Sequence, residues 1–369
     1  MTYNRALCAI PVGTSRFLSE VVVLRSFVVD LFKAVAAQLI VLHHLVAYGP
    51  VAAAVAIATP TLADWLFDYA RMAVQAFLVI GGYLAARSMV GGVKGGLLPS
   101  ILKRYVRLAL PFVAALLLTC LIAALVRPWF NDDAMPAVPG IAQTLAHVFL
   151  LHGVLDYESL SAGAWYVAID FQLYVLFALL VWGSHTAPRW HLAIVVALTA
   201  ASLFHFNRYS ELDNWALYFF GAYGMGVLAF HISRRARPLP WLGLLIAVAA
   251  TALYLDFRGR ILVALCIAVA LVLLRNVSVA RENLWARRVG YFGLNSYALF
   301  LVHFSLCLLG NALFVCMGWN SPAEGVAMLL LVWLSSNLLA DRFYTRVELP
   351  SSRLSLDGVF LRLRRSEGA

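Results

Sequence analysis

The sequence predicts an all-α, polytopic integral membrane helical bundle of about ten transmembrane helices, with N- and C-termini cytoplasmic. Three observations predict it. Of 369 residues, 63% are hydrophobic and only 12% charged, about half the charged share of an ordinary soluble domain, and mean hydropathy is +0.85. Apolar runs of roughly 18 to 25 residues recur along the chain, each long enough to cross the hydrocarbon core. The basic residues fall in alternate connecting segments. Helices are the required element, because lipid offers no partner to an unpaired backbone amide, and the alternating pattern of a membrane barrel is absent.

Ten spans are expected, at about 27–49, 65–88, 106–126, 163–183, 190–207, 214–233, 240–257, 260–275, 290–316 and 323–343. Residues 1–25 are read as a cytoplasmic leader rather than a signal peptide, since the first long apolar run starts late and carries Asp30 and Lys33. The spans occupy 26–345, and a basic cytoplasmic tail fills 346–369. Segment 140–155 is apolar on one side and too short to span comfortably, so an interfacial or re-entrant helix is expected there. With the N-terminus inside, all but five of the 28 Lys and Arg lie on the inner side, the exceptions being Arg71, Arg127, Arg208, Arg258 and Arg260. The net charge of +10 is therefore the positive-inside bias and not a nucleic-acid surface. The five cysteines form no C-x-x-C pair and are expected to be buried thiols, with no metal site.

Ionisable groups inside a span cost a few kcal/mol by insertion scales, so they mark a cavity or a pairing. The candidates are Lys33, His43, His44, Arg71, Asp170 and His303, with Gln75 and Gln172 beside them. Lys33 and His44 lie about 16 Å apart along a helix and about 20° apart around it. A cation near the inner face and an imidazole on the same stripe suit a channel open to a cytoplasmic anion; the bland alternative is a snorkelling lysine. His43 and His44 point about 100° apart, and the residues alone leave open which one faces a site. Arg104 and Arg107 share one helix face, placed to clamp a phosphate-bearing ligand or to anchor against anionic lipid. Asp170, roughly two turns into its span, needs a partner: Arg71, His44 or His303. His303 sits mid-span, where the bland reading is a helix–helix hydrogen bond.

These residues resemble acyltransferase family 3, the integral-membrane O-acyltransferases of bacteria. Lys33 followed by ten residues and His44 is similar to the family's opening helix, which implies that His44 and not His43 is its active-site histidine. AFLVIGGYL (76–84) resembles FF-x-x-SGYL, with Gly81 for the usual Ser. KRYVRLALP (103–111) is similar to the R-x-x-R helix start, matched by Arg104 and Arg107. AWYVAIDFQLYVLF (164–177) resembles W-x-L-x-x-E-x-x-x-Y through Trp165 and Tyr174, with Asp170 for Glu. NSYALFLVHFSL (295–306) is similar to SYSLYLxHxP, with His303 on the family histidine and Ser305 for Pro. The resemblance spans about 25–343 with its motifs in order.

It implies a multi-pass enzyme of the bacterial cytoplasmic (inner) membrane. Such an enzyme moves an acyl group, by default acetyl, from cytoplasmic acyl-CoA to a hydroxyl of a carbohydrate acceptor, with acyl-CoA as donor substrate and no permanently bound cofactor. His44, Asp170 and His303 are then the expected catalytic set, with His44 a general base or an acyl carrier. Lys33, Arg104 and Arg107 are expected to bind acyl-CoA, and Arg71, Gln75, Trp165 and Tyr174 to line the cavity or meet the acceptor. The rival reading is a proton-coupled transporter or flippase of a lipid-linked sugar, which predicts flux without acyl-CoA; the paired half-helices of such folds are not evident.

Overall fold

A computed structural model describes residues 26–354, apart from 94, 185–187, 278 and 281–282. The expected leader, and the tail beyond 354, lie outside the described residues. The described chain is helical throughout: α1 Phe27–Ala47, α2 Gly49–Ala58, α3 Pro60–Tyr69, α4 Val74–Ser88, α5 Leu97–Val126, α6 Ile141–Val148, α7 Ala164–Gly183, α8 Pro188–Phe204, α9 Ala216–Ser233, α10 Leu239–Leu255, α11 Gly259–Leu273, α12 Leu284–Cys316, α13 Pro322–Phe343 and α14 Leu349–Arg353. Among the described residues eight helical stretches are long and apolar enough to cross a membrane, counting α3–α4, α13–α14, and α8 with the turn to Arg208, each as one. The expected spans at 240–257 and 260–275 appear as the shorter apolar helices α10 and α11.

Close backbone approach holds the bundle together, as expected where lipid removes the hydrophobic drive between helices. α1 packs along α12, and α4 along α9. At the second contact a Cβ on Gly82 would strike the Tyr223 carbonyl, and one on Gly226 the Val79 carbonyl. Small residues at both positions let the two backbones touch. α13 opens on a capping box: Ser321 Oγ accepts from the Glu324 amide at 3.3 Å, and the Glu324 carboxylate accepts from the Ser321 amide at 2.8 Å.

Several boundaries differ from expectation for physical reasons. α5 begins nine residues before the expected span, at Leu97, so the helix start that carries Lys103 and Arg104 is preceded by a further turn and a half of helix. Pro111 inside it removes one amide donor, and the adjacent Leu108 carbonyl accepts from the Tyr297 hydroxyl at 3.0 Å. α2 was not expected; Pro50 sits in its first turn, where a missing amide costs nothing. α13 runs on through a π turn, Tyr344–Glu348, into α14, beyond the expected limit at 345. The expectation of buried cysteines holds only for Cys307 among the four described: Cys120 is half-buried, and Cys266 and Cys316 are exposed.

The α10–α11 turn is tied to the end of α8. Arg258 Nη2 donates to the Leu203 carbonyl at 2.7 Å and Nη1 to Asn207 at 2.9 Å, while Asp256 pairs with Arg208 at 3.2 Å. Both connections thus lie at one end of the bundle.

Candidate active site

α1 and α12 lie side by side and bring their mid-span histidines together. His44 Nδ1 lies 2.7 Å from His303 Nε2, with the rings nearly parallel, 6° apart. His303 Nδ1 lies 3.2 Å from the Leu299 carbonyl, one turn back on its own helix. A carbonyl only accepts, so the neutral His303 ring carries its proton on Nδ1 and accepts at Nε2. His44 must then donate from Nδ1, which leaves its Nε2 with a lone pair. The pair is deeply set: His44 is 9% exposed and His303 is 0%. His43 turns away and bonds through Nδ1 to the Leu66 carbonyl at 3.2 Å.

Toward the Lys33 end of the same helices lies a cavity of about 440 Å³. Its mouth sits beside the glycine loop that joins α4 to α5, where Gly91, Gly92, Gly95 and Gly96 all take positive φ, a conformation that favours glycine. Lys33, Lys103, Arg104 and Arg107 stand on its wall, together with Asp170 and Glu348. Phe77, Tyr166 and Phe300 stand at the opposite end, deepest along their helices.

Asp170 pairs with Arg104, whose Nη2 donates to Oδ2 at 2.5 Å. None of the three expected partners, Arg71, His44 and His303, is the residue that holds it. The Asp170 side chain is 5% exposed and the Arg104 side chain 26%, so the pair lies on the cavity wall with the arginine the more open of the two. Arg104 also lies over the Tyr174 ring, 5.2 Å from its centroid. Its Nε and the Tyr223 hydroxyl are buried with no hydrogen-bond partner among the described residues. Unpaired buried donors beside a basic cavity are positions a ligand's oxygen atoms can fill.

Lys33, Arg104, Arg107, Asp170 and Tyr174 therefore share one cavity, and His44 and His303 form a second group beyond it. Arg71, Gln75 and Trp165 do not line the cavity. Arg71 is exposed and bonds the Asp68 carbonyl at 3.3 Å. Gln75 is buried at 4%, and Trp165 stacks on Phe219 at 5.5 Å. Gln172 pins the start of α9, accepting from the Ala216 amide at 3.0 Å. Reasoning from sequence overlooks Glu348, which lies past the last expected span, and Phe300, which looks like one more apolar residue in an apolar helix.

A second imidazole pair is also missed. His147 of α6 and His152 of the following loop stack with centroids 4.2 Å apart, each 1% exposed. The Leu160 amide donates to His147 Nε2 at 3.1 Å and His147 Nδ1 donates to the Gln143 carbonyl at 2.9 Å. That ring is thereby fixed neutral. Burial first, then the neighbouring His147, lowers the His152 pKa to about 4. Among the described residues no group of three or more His, Cys, Asp or Glu side chains is gathered as a metal site would need.

A multi-pass helical membrane protein, with a basic cavity leading toward a buried histidine pair, is the class this fold and geometry define. The family described as "Acyltransferase domain", acyltransferase family 3, matches residues 28–340. The chain belongs to that family. No significant match was found among curated proteins or among solved structures.

Proposed function

We propose that the protein is an integral-membrane O-acyltransferase of the bacterial inner membrane. It takes an acyl group, expected to be acetyl, from acyl-CoA on the cytoplasmic side and transfers it to a hydroxyl of a cell-surface or secreted carbohydrate. One observation carries this reading: the basic cavity ends one helical turn short of the His44–His303 pair. Lys33, Lys103 and Arg107 would meet the donor's phosphates. Arg104, held by Asp170, would present its remaining donors to the same ligand.

His44 Nε2 is the base in this mechanism. It takes the proton of the acceptor hydroxyl as that oxygen forms a bond to the thioester carbonyl carbon. The carbon–sulfur bond then breaks, and the departing CoA thiolate collects the proton from His44. His303 keeps the lone pair on Nε2 by accepting from Nδ1–H, the orienting role that a third group plays in a nucleophile–base pair. The same lone pair would serve as nucleophile if the acyl group rests on His44 in transit.

General-base removal costs a factor of about 10² to 10⁴. His44→Ala in a correctly inserted protein is therefore expected to strip the acyl mass from surface glycans and leave the glycans themselves at normal abundance. Mass spectrometry of glycans from matched strains checks both at once. Retained acylation would overturn the mechanism, and loss of the whole glycan would favour transport of a lipid-linked sugar.

A further inference from the structure

We propose that Phe300 is a specificity-determining partition, which limits the length of acyl group that reaches His44 and keeps water off the thioester. This rests on the acyltransferase reading given above. Phe300, Phe77 and Tyr166 close the inner end of the basic cavity as three rings in mutual contact. Their centroids lie 6.0 Å apart for Phe77–Tyr166, 6.4 Å for Phe77–Phe300 and 5.3 Å for Tyr166–Phe300.

Phe300 alone among these also borders a second, smaller cavity, together with Phe112, Ser161 and Gly163. It is the one residue common to the two cavities among the described residues. His303 lies a turn farther along α12, its ring 6.2 Å from that of Phe300. Neither His44 nor His303 borders either cavity. A thioester advancing from the basic end therefore meets the Phe300 ring before it meets the histidines.

The ring is tightly seated. A Cβ on Gly163, the residue before α7, would stand 2.7 Å from Phe300 Cζ, so the ring tip fills the space a side chain would need. The cavity beside it offers about 10 Å³, room for roughly one water-sized group. Against the roughly 440 Å³ on the basic side, a chain that grows past the ring meets little room. Shortening Phe300 would join the two cavities, admitting longer acyl groups and also water. Water entry converts transfer into hydrolysis: a water oxygen bonds to the carbonyl carbon, the carbon–sulfur bond breaks, and the products are free carboxylate, CoA thiol and a proton.

The test uses full-length protein in proteoliposomes carrying wild type, Phe300→Leu or Phe300→Ala. Acetyl-, butyryl- and hexanoyl-CoA are supplied in turn, and CoA thiol release is followed without acceptor. Wild type is expected to favour acetyl-CoA and to hydrolyse it slowly. Phe300→Ala is expected to shift the hexanoyl-to-acetyl ratio at least tenfold and to raise hydrolysis at least tenfold, with Phe300→Leu between. A structural role alone would lower all three donors together. An active wild type whose chain-length profile and hydrolysis are unmoved by either substitution overturns the partition and leaves the acyltransferase reading standing.

A second arm separates the two ideas. A Ser161→Cys substitution, in a background with the native cysteines changed to serine, puts a thiol on the smaller cavity. A sulfonate-bearing methanethiosulfonate supplied on the Lys33 side should modify it at least tenfold faster when Phe300 is also alanine. If neither wild type nor Phe300→Ala releases CoA thiol from any donor, the acyltransferase reading fails and this labelling alone decides whether Phe300 divides the cavities; equal rates would overturn the partition.

Discussion

Asp170 and Arg104 stand 66 positions apart in the chain, and their pairing changes what each residue is for. Arg104 is not a bare clamp waiting for phosphate, because a carboxylate already holds one side of its guanidinium. Removing one member of a buried ion pair leaves the other charge uncompensated, at a cost of 3–5 kcal/mol in general. Asp170→Asn is expected near the low end, roughly 3 kcal/mol, because Arg104 keeps 26% of its side chain exposed. Arg104→Gln should cost a similar amount, and the double variant well under the sum. Thermal unfolding of the purified protein checks this, and losses that add within about 0.5 kcal/mol would show that the two do not act as a pair. Each residue could be recognised in the sequence as a charge inside a span, but not its partner. Periodicity orients a side chain around its own helix and says nothing about which helix stands opposite. The same limit left His43 and His44 unresolved from helix geometry alone; the family resemblance pointed to His44, and the Leu66 carbonyl and the His303 ring show where each one turns.

Elements follow a similar rule. Apolar length made the long helices readable, because lipid thickness sets it. Their ends were less readable, because lysine and arginine at the membrane face lower the hydropathy of a stretch yet continue the helix, as α5 does from Leu97 through Lys103 and Arg104. Segment 140–155 was expected to be an interfacial or re-entrant helix, and α6 is a short helix within it, but its buried histidines gave no signal in the sequence. They carry a pH dependence. An unfolded histidine titrates near 6.5, whereas folded His152 titrates at about 4. Between those values the unfolded chain binds the extra proton, so stability rises with pH. The contribution is complete above about 6.5 and is lost as pH falls toward 4, up to roughly 3 kcal/mol at 1.36 kcal/mol per unit. Melting temperature measured from pH 7.5 down to 4 should fall more steeply for wild type than for His152→Phe, whose ring can stack on His147 without a proton to gain. Parallel curves would show that His152 does not supply the slope.

At the scale of the whole molecule, two questions remain distinct: how many times the chain crosses, and which end of the cavity faces the cytoplasm. α10 and α11 have 17 and 15 residues, about 26 and 23 Å of helix against a core of about 30 Å. They either cross, with local thinning or snorkelling at their ends, or enter and return as a hairpin. Parity makes the termini indifferent to this choice, since the two helices are gained or lost together. The turn between them is not indifferent. Asp256 and Arg258 are bound to residues at the far end of α8, and the stretch Trp190–Arg208, α8 with the short turn that follows it, is long and apolar enough to span. A turn tied to the exit of a full span must reach the same surface, which predicts ten crossings. Phe257 in that turn is 70% exposed and Val138, between α5 and α7, is 77%. Cysteines placed at these two positions should both react with an impermeant thiol reagent from outside intact cells. A cysteine at Val90, in the glycine loop at the cavity mouth and 43% exposed, should react only after the membrane is opened. A protected Phe257 site beside a labelled Val138 site would mean a re-entrant hairpin and eight crossings. Labelling at Val90 from outside would turn the molecule over, with the basic cavity facing away from any cytoplasmic pool of acyl-CoA.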